Sequence, residues 1–255
     1  MLHTRLGGIS DVEFIGQSIG TQPSIGMIEN DNDAIVPDRE LLDDLMQASS
    51  VRHQHLCPRQ VLGIRIGLRG LQALHFADSA DQTRFRNADK RLLTIVETDG
   101  CGADGVAVAT DCYVGRRTLR VVDFGKVAAT FVDTHTGCAV RVAPAPDVRR
   151  RVQAYALTAP SRWHAYLAGY QVMPDEALLQ TQPVRLAQPL STILSRPNLR
   201  VRCSVCGEEI MNEREVRQGG RVLCRSCAGD RYYTPLQTFS KSITPGLAFE
   251  GREEV

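Results

Sequence analysis

The stretch His53–Leu71, HQHLCPRQVLGIRIGLRGL, constrains this chain more than any other. Val61, Ile64, Leu68 and Leu71 recur at helical spacing, and Leu62 and Ile66 fall on the far side of the same helix. A helix that is apolar nearly all round has to be wrapped by the rest of the fold. Gly63, Gly67 and Gly70 make a third face without side chains. Glycine inside a helix costs about 1 kcal/mol relative to alanine, so three on one face predict the close approach of a neighbouring backbone. Pro58 suits the first helical position, where its missing N–H is no loss.

Just ahead of that helix, His53, His55 and Cys57 alternate. In an extended segment residues i, i+2 and i+4 share one side, so the three side chains would converge. Cys57 falls at the helix N-terminus, where unpaired N–H groups and the macrodipole favour a thiolate. Two imidazoles beside such a thiolate suit a divalent metal ion, or a reactive cysteine with its base. The plainer alternative is a loop with two hydrogen-bonded histidines and a buried cysteine.

The chain's 255 residues have room for one large domain, or a medium domain with a small one. A formal net charge of +1 argues against a general polyanion binder. MLHTRLGGISDVEF lacks a basic segment followed by an apolar run, so no signal peptide is expected. No run of 18 apolar residues is present, so no membrane span is expected either. Of the eight cysteines four fall in two CxxC pairs, and Cys57 and Cys138 lie near histidines, which points to metal in a reducing compartment, the cytoplasm, over disulfides.

In chain order, residues 1–37 are rich in Gly, Ser, Asn and Asp and read as an extension, with a short strand at Ile25–Ile28. A core domain is expected over 38–182. It opens with a helix at Asp38–Met46 and, after the central helix, a charged segment at Asp78–Arg91. Arg91–Thr98 reads as a strand and Gly102–Asp111 as a short helix. Thr118–Asp123, Val127–Val132 and Ala139–Ala143 follow as strands, then Asp147–Leu157, Trp163–Tyr170 and Pro174–Leu179 as helices. Helices, a run of strands, then helices again argue an α+β class. Pro183, Pro189 and Pro197 mark 183–198 as a linker to a small module at 199–233, with a tail at 234–255.

Gly100-Cys101-Gly102-Ala103-Asp104-Gly105 matches GxGxxG between a strand and a helix. Glu97, Thr98 and Asp99 separate the strand from the first glycine, the two acids would put negative charge beside a pyrophosphate, and further βα units are missing, so a dinucleotide fold is disfavoured. Cys101 and Cys112 lie eleven residues apart, about 16 Å along an unbroken helix, so at most one joins the His/Cys cluster. Cys112 is the preferred partner, because Asp111–Gly115 looks like a loop free to turn inward. His55, Cys57 and Cys112 thus form a candidate second metal site, with His53 nearby.

Cys203-x2-Cys206 and Cys224-x2-Cys227 are separated by 17 residues, the spacing of a four-thiolate zinc site. Gly207 follows the first pair, Gly219-Gly220 marks a hairpin turn, and a short helix is expected at Ala228–Tyr233. About 35 residues hold too little core to fold alone, so the metal supplies the missing stability. Four cysteines leave no open position, so this zinc is structural. Seven Arg against five acids in the module argue, on charge, against a dedicated DNA reader.

Taken together, HQHLCP, VETDGCGADGVAVATDCYVG and VVDFGKVAATF resemble the family of the E-type subunit of formylmethanofuran dehydrogenase. Its pattern reads approximately HGHLCPG, VET-x-x-C-x-x-D, TGCT-x-GKGNL and D-x-GK-x-A-x-TF. The resemblance covers about residues 40–175. It implies an α+β core that dimerises, followed by a treble-clef-like zinc finger, and an association with molybdenum or tungsten enzymes of one-carbon metabolism. Carried over residue by residue, the core candidates are His53, His55, Cys57, Cys101, Asp104, Cys112, Asp123 and Lys126. Gln54 and Arg59 stand where the family has glycines, Asp111 and Tyr113 alter TGCT, and Arg116-Arg117-Thr118 replace KGN.

Two functions are therefore expected to compete. One is a homodimeric metal-binding protein, with zinc in the finger and a metal, small molecule or cofactor in the core, serving a molybdenum or tungsten enzyme. The other is a zinc-finger regulator or nucleic-acid binder with a ligand-sensing core. A nucleophilic Cys57 would make the chain an enzyme, but no substrate pocket is legible.

Overall fold

The computed structural model describes residues 37–76 and 83–234. The N-terminal extension with its Ile25–Ile28 strand, part of the charged segment and nearly all of the tail lie outside the described residues.

The architecture grows around helix α2, Pro58–Ala73, which is buried on nearly every side. Helix α1, Arg39–His53, starts at Asp38, whose carboxylate accepts the Leu41 N–H. It packs Leu41, Leu42 and Leu45 into the same core. Helix α1 runs seven residues beyond the expected Met46. His53 is therefore its last helical residue, and Gln54 caps it in the left-handed region at φ 63°. The extended His-x-His-x-Cys alternation is overturned by that cap, which turns the chain sharply between the histidines.

Helix α3, Cys101–Thr110, lies against α2. A Cβ on Gly63 would collide with the carbonyl oxygen of Gly102, and one on Gly105 with that of Gln60. Gly67 faces Ala109, and Gly70 faces the ring of Phe131. The glycine face is thus filled from within the chain. The GxGxxG run serves this contact, with Gly102 and Gly105 pressed on α2.

A five-stranded sheet covers one side of α2. Its strands are β1 Leu92–Val96, β2 Leu119–Val121, β3 Ala129–Asp133, β4 Ala139–Pro144 and β5 Leu179–Pro183, in the order β2-β1-β3-β4-β5. β1 and β2 pair in parallel across α3, and the other pairings are antiparallel. The strand–helix–strand unit glimpsed in the glycine motif is real but single, so the class is α+β. β5 escapes a reading by hydropathy because Gln180, Thr181 and Gln182 are polar. It is an edge strand held by backbone pairing to β4, with Pro183 at its end.

Helix α5, Arg162–Val172, packs against α2, and the short helix α4, Val148–Arg151, precedes it in the chain. A 3₁₀ turn at Val152–Tyr155 interrupts the single helix expected at 147–157. Arg65, fully buried in α2, donates to the Tyr170 and Met173 carbonyls and to Asp175 Oδ1 at 2.6–2.7 Å. This ties α5 and the short α6, Asp175–Leu178, to the central helix. Burial pushes the Asp175 carboxyl up, and the Arg65 charge and hydrogen bond oppose it.

The stretch read as a linker covers the sheet's second face. Val184, Leu186, Leu190 and Ile193, the last two in helix α7 (Leu190–Leu194), pack on Leu93, Val132 and Ala139. Beyond it, β6 Arg200–Arg202 pairs with β7 Glu209–Met211, and β8 Val216–Gln218 with β9 Arg221–Leu223. Gly219 and Gly220 both take positive φ, the backbone that a two-residue hairpin turn demands. Residues 225–229 form a turn and no helix follows, so the expected helix at Ala228–Tyr233, the hallmark of a treble clef, is absent from the described residues. Gly229, at φ 109°, breaks the run there. No helix of the described residues is long and apolar enough to cross a membrane.

Candidate metal centres

Two clusters of soft ligands lie in this fold. In the finger, the Sγ atoms of Cys203, Cys206, Cys224 and Cys227 all lie within 4.8 Å of one another, with Cys206 and Cys224 at 3.8 Å. Tetrahedral zinc with Zn–S bonds of about 2.3 Å places its sulfurs about 3.8 Å apart, so the donor set fits. The Val205 N–H points at Cys203 Sγ and the Cys227 N–H at Cys224 Sγ, as in a pair of knuckles. Gly207 closes the first at φ 75°, donating to the Cys203 carbonyl. Burial works against ionising Cys203, but the N–H groups of Cys206, Cys224 and Val205 bring its thiol down to about 6. Burial and the neighbouring sulfurs push Cys206 up to about 12. Four sulfurs so close do not ionise together without a cation among them. The module's apolar core is little more than Ile210 and Leu223 with their neighbours, so metal has to carry its stability.

The second cluster sits where the N-termini of α2 and α3 meet. Cys57 is the N-cap of α2 and Cys101 the first residue of α3, so the glycine packing that joins these helices also brings two thiols together at two positive helix ends. Cys101 Sγ lies 3.2 Å from His53 Nε2, and His53 Nδ1 lies 3.2 Å from Asp104 Oδ2. The His55 ring is tilted against that of His53, with centroids 4.8 Å apart. His53 and Asp104 are partly exposed, so the cluster opens to solvent. Burial, and then Cys57 beside it, pushes the Cys101 thiol up, while the Arg59 charge pulls the other way.

Cys112 is not part of this arrangement. The structure reverses the expected choice between the two distant cysteines. Asp111 ends α3 in the left-handed region, and the turn drives Cys112 into the core, where it is fully buried. Its sulfur meets Asn87 Nδ2 at 3.2 Å and Thr94 Oγ1 at 3.4 Å, and burial raises its thiol pKa. Asp123 and Lys126 occupy the loop after β2, whose Phe124 and Lys126 N–H groups bond the Glu97 carbonyl at the end of β1. Asp123 Oδ1 accepts the Gly125 N–H within its own turn, and the Lys126 charge acts on Glu97. The loop reaches the same end of the sheet as Cys101, since Val127 packs against Gly102. Among the described residues, the finger's cysteines are the group gathered within 4.8 Å, so the core donors are less tightly drawn together.

Gln60 is the supporting residue that motif reading missed. Fully buried, it accepts the Cys57 N–H at 2.7 Å and donates to the Ser49 carbonyl and hydroxyl. It thereby fastens the end of α1, with His53, to the start of α2, with Cys57. The signal was present in Cys57-Pro58-Arg59-Gln60: a glutamine three residues after an N-cap is half of a capping box.

Residues 52–180 match the family described as FmdE, molybdenum formylmethanofuran dehydrogenase operon. Residues 197–233 match the prokaryotic dksA/traR C4-type zinc finger. A probable S-adenosyl-L-methionine-binding protein of Archaeoglobus fulgidus is 29% identical over 248 residues, 88% of this chain. The chain spans 60% of that relative's length. The crystal structure of a tungsten formylmethanofuran dehydrogenase FmdE-like protein from Syntrophus aciditrophicus has a TM-score of 0.50 at 20% identity, covering 76% of this chain and 95% of that one. At that identity the likeness is one of fold.

Proposed function

The chain belongs to the FmdE family, and from that premise we propose that it binds a second metal ion in its core, through His53, Cys57 and Cys101 with His55 beside them. The observation that carries this reading is the line Cys101 Sγ, His53 Nε2, His53 Nδ1, Asp104 Oδ2. A metal-bound imidazole usually gives its other N–H to a carboxylate, which sets the tautomer and aims the lone pair at the ion. Tetrahedral zinc would hold an imidazole nitrogen and a thiolate about 3.5 Å apart, close to the separation here. With the finger's zinc structural and closed, this partly exposed site is, among the described residues, the candidate for an open coordination position that a ligand would take.

The same line of atoms supports a second reading, in which Cys101 is a nucleophile, His53 its base and Asp104 the orienting acid. Burial and Cys57 raise the Cys101 thiol, which disfavours a standing thiolate and favours a cation that displaces the proton. The metal reading is therefore preferred. Its ligand is a small molecule or cofactor of a molybdenum or tungsten one-carbon enzyme system, which the chain serves as an accessory. The Archaeoglobus relative's name adds S-adenosyl-L-methionine to the candidates. The homodimer belongs to the same proposal, and a dimeric mass in solution at micromolar concentration is expected.

The test is metal stoichiometry by elemental analysis of the full chain. More than one ion per chain is expected, falling by one in Cys57→Ser and in Cys101→Ser with the finger's zinc retained. One ion per chain in all three proteins would overturn the core site. Calorimetric titration with S-adenosyl-L-methionine tests that candidate separately.

A further inference from the structure

A concavity lies where the core meets the finger, bordered on the finger side by Cys224 and apart from the His53–Cys101 cluster. It is an open cleft of ≈ 620 Å³, lined on the core side by Arg117 and Arg120 and on the finger side by Arg214 and Arg225, with Asn212 and Ser226. Its size is that of small-ligand pockets, roughly 300–1,000 Å³. Arg225 is paired with Asp230. Arg117, Arg120 and Arg214 hydrogen-bond instead to backbone carbonyls, those of Ser195, of Arg117 and Leu119, and of Asn212. Among the described residues no carboxylate ion pair joins any of these three.

We propose that this cleft binds the phosphate group of a phosphorylated small molecule, held by the guanidiniums of Arg117, Arg120 and Arg214. The three positive charges already act on one another: burial first, then Arg117 and Arg214, lowers the Arg120 pKa. A bound dianion relieves that repulsion and presents the oxygens that guanidinium forks match. The scaffold holds the donors in place. Arg117 itself, and Asn212 and Glu213 just before Arg214, take left-handed backbone conformations at φ 57–62°, an unusual state for side-chain-bearing residues. The Met211 carbonyl closes the finger turn by accepting the Arg214 N–H. Glu209 on the cleft wall is taken up by Arg200. Glu208 leaves negative charge at the finger side, which suits a ligand with one phosphorylated end over a long polyanion. The cleft is also a place where a ligand would join the finger to the core.

The experiment is calorimetric titration of the zinc-loaded full chain with inorganic pyrophosphate, with a short single-stranded DNA of about 12 nucleotides as the competing arm. Pyrophosphate is expected to bind, and Arg117→Gln, Arg120→Gln and Arg214→Gln each to weaken it about tenfold or more, while Arg217→Gln outside the cleft leaves it unchanged. Unchanged zinc content and circular dichroism show that each variant is folded. Absence of pyrophosphate binding overturns the proposal, as does equal affinity across the variants. Tighter binding of the oligonucleotide, with a salt dependence of more than about two released counterions, overturns it in favour of a nucleic-acid surface.

Discussion

The Cys101 sulfur stands 3.2 Å from His53 Nε2, although the two residues are 48 positions apart in the chain. Neither residue's local sequence sets that distance. It follows from how closely α3 lies on α2, which the missing side chains of Gly63 and Gly105 permit, and from Gln60, which fastens the end of α1 to the start of α2. The chemistry of the core is thus an outcome of helix packing, and variants that disturb the packing should disturb the chemistry.

Asp104 supports His53 from outside the proposed metal shell. Asp104→Asn is expected to lower core-metal affinity about 10–100-fold while the finger keeps its zinc, because the imidazole loses its anionic partner and its fixed tautomer. Competition against a chromophoric chelator measures this. Equal affinity in the variant would remove Asp104 from the site.

Gly63→Ala reverses the usual gain of a helical alanine. The new methyl group would meet the Gly102 carbonyl, a backbone atom that cannot swing aside, so a loss of about 1–3 kcal/mol or more is expected. Gly115, with open space around it, serves as the control, and Gly115→Ala should stay within about 0.5 kcal/mol. Urea unfolding of both variants decides the matter, and two equal effects would refute the packing argument.

Acid sensitivity should trace in part to Asp133. Its hydrogen bond from Arg91, working against burial, lowers its pKa from 3.8 to about 2 in the folded chain. Between those values the unfolded chain binds more protons, so stability rises with pH across the window and is lost as pH falls from about 4 towards 2. The full shift corresponds to about 2 kcal/mol, trimmed by solvent screening because Arg91 is partly exposed. Arg91→Gln should therefore destabilise the protein at about pH 7 and make little difference at about pH 2. The same loss at both values would show that the side chain acts by packing alone.

Removal of one finger thiolate tests the dependence of the module on metal. Cys206→Ser is expected to unfold residues 203–233 and release one zinc, with the core's cooperative transition retained. An intact finger spectrum with full zinc in that variant would contradict a structural role.

Local sequence determined much of this protein. The apolar circumference and glycines of Pro58–Leu71 are sufficient to name the central helix and demand a close neighbour, because periodicity and side-chain size are properties of one segment. The spacing of Cys203, Cys206, Cys224 and Cys227, and the Gly219-Gly220 turn between β8 and β9, are equally local. Tertiary structure alone decided which distant cysteine meets His53. Cys101 and Cys112 bracket the same helix, and its docking point on α2 sends the first to the histidines and turns the second into the core beside Asn87 and Thr94. Polar β5 became a strand only because β4 offered unpaired backbone, and the proline-marked 183–198 stretch became a cover because the sheet's second face had Leu93 and Val132 to bury. In each case the deciding partner lies far away in the chain, and its position is set by packing, hydrogen bonding and burial that no single segment encodes.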